Sequence, residues 1–175
     1  IKPGVPVVVG EAEGAVKGVF ERISAERNAP LLFVDQHETL GFPSALPGPH
    51  QQRNARTALA ALRILQGRGW RVTDGHIALG FQHVVRNTGL LGRWQVLAEP
   101  PLTIADVAHN VDGIRVLRTM LECTPYEDLH IVLGMVNDKD LGKVLAELPR
   151  KATYYFCKAD IPRGLNADEL AAQAT

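Results

Sequence analysis

Strand-like and helix-like segments alternate through the second half of the chain, and this constrains the fold more than any other feature. Residues 95–98 and 102–107 are apolar and extended, separated by Pro100-Pro101. Residues 110–122 carry Ile114, Leu117 and Leu121 on one helical face. A strand follows over 129–133. A helix over 138–148 has Leu141, Val144, Leu145 and Leu148 at i, i+3, i+4 and i+7. A further strand covers 152–157, and a last helix starts at Asn166, with Glu169 three residues on as an N-terminal signal. Such alternation predicts an α/β fold built on a parallel sheet.

The first half reads less regularly. Residues 5–9 are β-branched between Gly4 and Gly10, Val16, Val19, Phe20 and Ile23 follow at helical spacing, and 31–34 is a second short apolar run. Periodicity fails over 35–49, where Pro43, Pro47, Gly48 and Pro49 interrupt it. Ala55, Ala58, Leu59, Leu62 and Leu65 then form one stripe, closed by Gly67 and Gly69. A weaker helix is expected over 74–85, and the glycine-broken stretch 87–92 is the expected domain boundary.

The 175 residues include 19 Lys+Arg and 19 Asp+Glu, so no bulk charge draws the chain to nucleic acid or to an anionic membrane. No apolar run nears the ~20 residues of a membrane span. Cys123 and Cys157 are too few for a disulfide framework and read as small core residues in a reducing, cytoplasmic setting. The start, Ile1-Lys2-Pro3-Gly4, reads as the interior of a longer polypeptide.

Four stretches could carry chemistry. In 103–110 an apolar strand runs into Asp106 and a helix begins near Asn110, so Asp106 and His109 fall at a strand's carboxyl end, where open α/β sheets bind ligands. The plain alternative is that Asn110 caps the helix, Asp106 bonds local backbone and His109 is a loop residue. Arg93, in Gly92-Arg93-Trp94-Gln95, could clamp a phosphate or simply pack on Trp94. Amides in His50-Gln51-Gln52-Arg53-Asn54 could read a base edge or serve as helix caps. The turn 133–140 places Asp138 and Asp140 at a helix start, where they complement its dipole. No GxxxxGK[ST] loop, GxGxxG fingerprint, HExxH pair or GxSxG elbow is present, and no residues are expected to ligate a metal.

Together, Gly92-Arg93-Trp94-Gln95, Asp106-Val107-Ala108-His109-Asn110 and Gly134-Met135-Val136-Asn137-Asp138-Lys139-Asp140 resemble the folylpolyglutamate synthase/dihydrofolate synthase family, a branch of the Mur ligases. Gln51-Gln52-Arg53-Asn54-Ala55 is similar to its HQxxNA helix start, residues 1–8 to the segment after its EKAG motif, and Pro162-Arg163-Gly164 to its late PRA segment. The resemblance implies the C-terminal part of a central ATPase domain over residues 1–88 and a Rossmann-like ligase domain, truncated at its end, over 89–175. It implies a monomer that uses ATP and Mg2+ to join L-glutamate to folate or dihydropteroate through an acyl phosphate. Carried over by motif, Arg93 contacts phosphate, Asp106 and His109 line the nucleotide and glutamate side of an interdomain cleft, Asn110 adjoins the substrate, and Asn54 with Gln51 contacts the nucleotide. Asp138 and Lys139 would hold the cleft wall. The family's P-loop, magnesium-binding Glu and His, and EKAG lysine would all lie upstream, so these residues alone are expected to be inactive. A Mur peptidoglycan ligase is the neighbouring reading, although that branch shows a DxYAHxP-type motif. A non-catalytic nucleotide-binding module is the reading from another class.

Overall fold

A computed structural model describes residues 1–137 and 140–174. By packing, the chain divides into two units, Ile1–Ala105 and Asp106–Thr175. The expected boundary at 88/89 rested on glycines, whereas packing groups the segment 89–105 with the first unit.

The first unit opens with β1 (Val7–Val9), α1 (Gly14–Glu26) and β2 (Leu31–Phe33), and β1 pairs in parallel with β2, Val8 opposite Leu32. α2 (Pro49–Gly67) follows an irregular segment that is tied down by the Ala45 amide on the Phe81 carbonyl (3.1 Å) and by Phe42 against Phe81 (5.1 Å). α2 begins at Gly48 with φ 99° and Pro49 in the first turn. It ends in a Schellman turn: Gly69 N–H bonds Gln66 C=O and Trp70 N–H bonds Leu65 C=O, with Gly69 at φ 86°. Ala55 and Leu59 of the expected stripe are buried. A Cβ on Gly10 would stand 2.5 Å from Thr57 Oγ1, so glycine there lets α2 lie close to the end of β1. Thr73 caps α3 (Asp74–Gln82) in a box with His76, and α4 (Val84–Thr88) ends at Gly89 in the left-handed region.

β3 (Gln95–Ala98) and β4 (Thr103–Ala105) pair antiparallel, beside the parallel pairing that the alternation predicts. The described strands form three separate two-stranded pairs.

The second unit contains α5 (Val111–Glu122), β5 (His130–Gly134), α6 (Leu141–Glu147), β6 (Thr153–Cys157) and α7 (Ala167–Ala174). β5 and β6 are parallel, with Leu133 opposite Phe156. Ile114, Leu133, Met135, Leu141, Val144, Leu165 and Leu170 form the core, and Ile114 and Leu170 are essentially inaccessible. Each strand alternates: Ile131, Leu133, Tyr154 and Phe156 turn inward, while His130, Val132, Tyr155 and Cys157 are exposed. Cys123 and Cys157 are both exposed thiols, contrary to the core placement expected of them. Cys157 has the outward parity of Tyr155, and Cys123 lies just past the last turn of α5. Among the described residues no helix is long and apolar enough to cross a membrane.

Candidate functional site

β4 delivers the chain into a turn held by its own side chains. The Ala108 amide donates to Asp106 Oδ1 at 2.8 Å, an Asx turn that fixes a half-buried carboxylate. Asn110 caps α5, its Oδ1 accepting from the Gly113 amide at 2.8 Å. A Cβ on Gly113 would come within 3.1 Å of that oxygen and 3.3 Å of the Ala108 Cβ, so the tight turn favours glycine. His109 is exposed, and its Nδ1 lies 3.0 Å from the Val107 carbonyl. A carbonyl only accepts, so Nδ1 carries the proton. In the neutral ring Nε2 then turns a lone pair away from the backbone. The local bonding is the plain alternative of the sequence reading, but it also orients these groups. A caged carboxylate and a tautomer-fixed imidazole lie within one turn, suited to hold a polar ligand or move a proton.

In the first unit, Arg93 follows Gly92 (φ 68°) and precedes Trp94, a non-glycine residue at φ 49°. The Gly92 amide donates to Gln95 Oε1 at 3.0 Å, closing this bend. Arg93 is half-buried and donates only to the adjacent Gly92 carbonyl (3.3 Å), with no ion pair among the described residues. Most of its guanidinium fork is therefore open to an anion.

Gln51 and Asn54 both lie inside α2, so neither caps it. Gln51 is buried, its Nε2 3.0 Å from His50 Nε2, and its Oε1 accepts from Asn54 Nδ2 at 3.4 Å. Asn54 is exposed. Of the two, Asn54 can meet a ligand, and Gln51 orients it from behind. The same helix start flanks a cavity of about 1040 Å3 at the carboxyl ends of β1 and β2, where Arg53 pairs with Glu11 at 3.2 Å.

These groups fit a nucleotide's polar edges: an exposed amide for a base and an open guanidinium for a phosphate. Among the described residues no three His, Cys, Asp or Glu side chains gather at one point. Asp138 and Lys139 lie outside the described residues. Asp140 is described: it stands at the N-cap of α6 and pairs with Lys143 at 2.8 Å, which raises the Lys143 pKa.

One further cavity, about 590 Å3, opens at the carboxyl ends of β5 and β6. Asn137, Lys158, Arg163 and Glu169 line it. The strand-edge rule that points to 103–110 applies equally to Lys158, which directly follows the last residue of β6.

The fold is thus of α/β type with polar groups at strand ends, and residues 92–175 match the family described as Mur ligase, glutamate ligase domain. The chain belongs to the Mur ligase family, on its folylpolyglutamate synthase/dihydrofolate synthase branch, and corresponds to the C-terminal portion of those proteins. It is 32% identical to the dihydrofolate synthase/folylpolyglutamate synthase of Escherichia coli over 97% of this chain and 40% of that protein. E. coli FolC in complex with DHPP and ADP superposes with a TM-score of 0.75 at 28% identity, covering 99% of this chain and 44% of that one. The bifunctional enzyme of Yersinia pestis complexed with AMPPNP and Mn ion gives 0.75 at 30%, covering 98% of this chain and 43% of that one. The chain therefore spans less than half the length of these relatives.

Proposed function

We propose that this chain supplies the C-terminal part of an ATP-dependent ligase that adds L-glutamate to folate or dihydropteroate. The observation that carries the reading is the likeness along nearly the whole chain to E. coli FolC, a protein seen with DHPP and ADP. The ligase domain in this reading begins at residue 89, and the protein acts as a cytoplasmic monomer. ATP, when bound, supplies the phosphoryl group that turns the acid's carboxylate into an acyl phosphate open to attack by the amine of glutamate. This chain's residues bind and orient. Asn54, backed by Gln51, reads the nucleotide base, and Arg93 offers its fork to a phosphate, favouring charge that builds during transfer. Asp106 and His109 line the nucleotide and glutamate side, with His109 Nε2 positioned to accept a proton from the incoming ammonium. Asn110 holds that turn at the substrate. No step is assigned to a metal held by these residues. The chain alone is inactive in this reading, because the phosphate cradle lies elsewhere in the polypeptide.

The test is an Arg93→Ala substitution in the polypeptide that also carries the upstream ATP-binding part. Folate- and glutamate-dependent ADP release is expected to fall about 100-fold or more, the scale of losing one transition-state charge contact. Unchanged turnover would remove Arg93 from the mechanism.

A further inference from the structure

Arg93 sits between two residues in the left-handed region, Gly92 at φ 68° and Trp94 at φ 49°. Glycine adopts that conformation without strain. Tryptophan does so rarely, and it stays there where its surroundings over-determine the backbone. One such constraint is a side-chain bond, the Gly92 amide donating to Gln95 Oε1 at 3.0 Å. An amide N–H only donates, so the oxygen end of the Gln95 side chain faces it. Gly92 is buried, and without that acceptor its amide would be left dry and unpaired. Gln95 is fixed in turn by its backbone, since it opens β3 opposite Ala105 of β4. The bond therefore ties the bend that carries Arg93 to a strand ladder.

The Arg93 side chain has little anchorage of its own. Among the described residues it donates only to the Gly92 carbonyl, at 3.3 Å, and that carbonyl belongs to the same bend. The direction in which the guanidinium leaves the chain is thus set by the backbone on either side of it. A bend closed before an anion arrives lowers the cost of ordering a long, flexible cation around it. None of the roles assigned above uses Gln95.

We propose that Gln95 is a positioning residue for the transfer reaction. It touches neither nucleotide nor acid, and it acts through Arg93 by holding the bend that aims the guanidinium. What the bond requires at position 95 is an acceptor on a side chain of this length, which glutamate shares and leucine lacks. The proposal rests on the ligase reading for the task of Arg93, but the bend itself can be tested without turnover.

The experiment has two readouts. The first is hydrogen exchange of the Gly92 amide in 15N-labelled residues 1–175. Exchange is expected to be about tenfold faster or more in Gln95→Leu, and close to the parent in Gln95→Glu, with both spectra dispersed. Should Gln95→Leu lose its dispersion, Gln95→Asn, polar but one methylene shorter, replaces it in both readouts. The second is folate- and glutamate-dependent ADP release by the polypeptide that also carries the upstream ATP-binding part. Gln95→Leu is expected to lower kcat about tenfold, and Gln95→Glu to recover it to within about threefold of the parent. Arg93→Ala with Gln95→Leu is expected to be no more than about twofold slower than Arg93→Ala alone, because nothing is left to position. A merely structural fault at position 95 would instead multiply with the Arg93 loss. The proposal is overturned by unchanged Gly92 exchange in Gln95→Leu, by losses that multiply in the double variant, or by no rescue with glutamate. Parent turnover in Gln95→Leu beside a slowed Arg93→Ala would contradict the positioning role and leave the ligase reading standing. Parent turnover in Arg93→Ala would contradict the phosphate role of Arg93, and the role of Gln95 would fall with it.

Discussion

Asn110 does two jobs that can be separated by substitution. Its side chain closes the first turn of α5 on Gly113, and in the proposed ligase it adjoins substrate. Asn110→Ala is expected to lower stability by about 1 kcal/mol, the usual worth of an N-cap, with Asn110→Asp restoring most of it. Urea denaturation of the two variants checks this, and equal midpoints would show that the cap bond is not formed. His109 is different: it is exposed and its ring bonds only its own turn. His109→Ala is expected to leave the urea midpoint unchanged and to depress glutamate-dependent turnover in the longer polypeptide. A lowered midpoint would mark it as structural. At this scale the sequence was informative about turn residues, because Asp, Asn and Gly act through bonds two or three positions away. It misled on Cys157, although period-two alternation from Tyr154 and Phe156 already put that thiol on the outer face. The His109 tautomer was not legible, since it depends on which carbonyl the folded turn presents.

Helices α5 and α6 are joined by Glu147, which lies between Arg115 (2.7 Å) and Arg118 (2.9 Å). The hydrogen bond from Arg115 is the main cause that holds the Glu147 carboxyl below the usual carboxylate range, aided by the charges of both arginines. A carboxyl with a lowered folded pKa adds stability that is present above its unfolded pKa and fades as pH falls through the folded one. The stability gap between the parent chain and Glu147→Gln is therefore expected to persist at neutral pH and to close in acid, below the ordinary glutamate range. Urea midpoints measured across that range test it, and a gap that widens in acid would contradict the assignment. Both arginines are solvent-exposed around a partly buried Glu147, so added salt is expected to narrow the gap as well. Element order was readable because α/β periodicity is local. Alternation alone does not give the direction of β3 against β4, but the length of their link does. Residues 99–102 are too short a link for parallel neighbours, which need a crossover of roughly a dozen residues.

The whole molecule consists of two units with different packing. The second encloses a contiguous core from Ile114 to Leu170, while in the first the buried apolar residues are Val9, Ala29, Ala55, Leu59 and Ile77 among those described. Glycines at 89 and 92 marked a break in periodicity, but grouping by contact depends on pairings distant in sequence, such as Gln95 with Ala105. No periodicity argument reveals those. The candidate site was legible as motifs, and the β5–β6 cavity was not, because Lys158 and Glu169 meet only through the fold. The central claim is that these residues complete a glutamate ligase whose phosphate cradle lies elsewhere in the polypeptide. Its most direct test is ADP release from ATP with dihydropteroate or tetrahydrofolate and L-glutamate, measured on residues 1–175 alone and with the upstream ATP-binding part restored. The account predicts none from the chain alone and, once restored, release that needs both the pterin acid and glutamate. Release that ignores glutamate, or that answers only to a muramoyl-peptide acid, would contradict it.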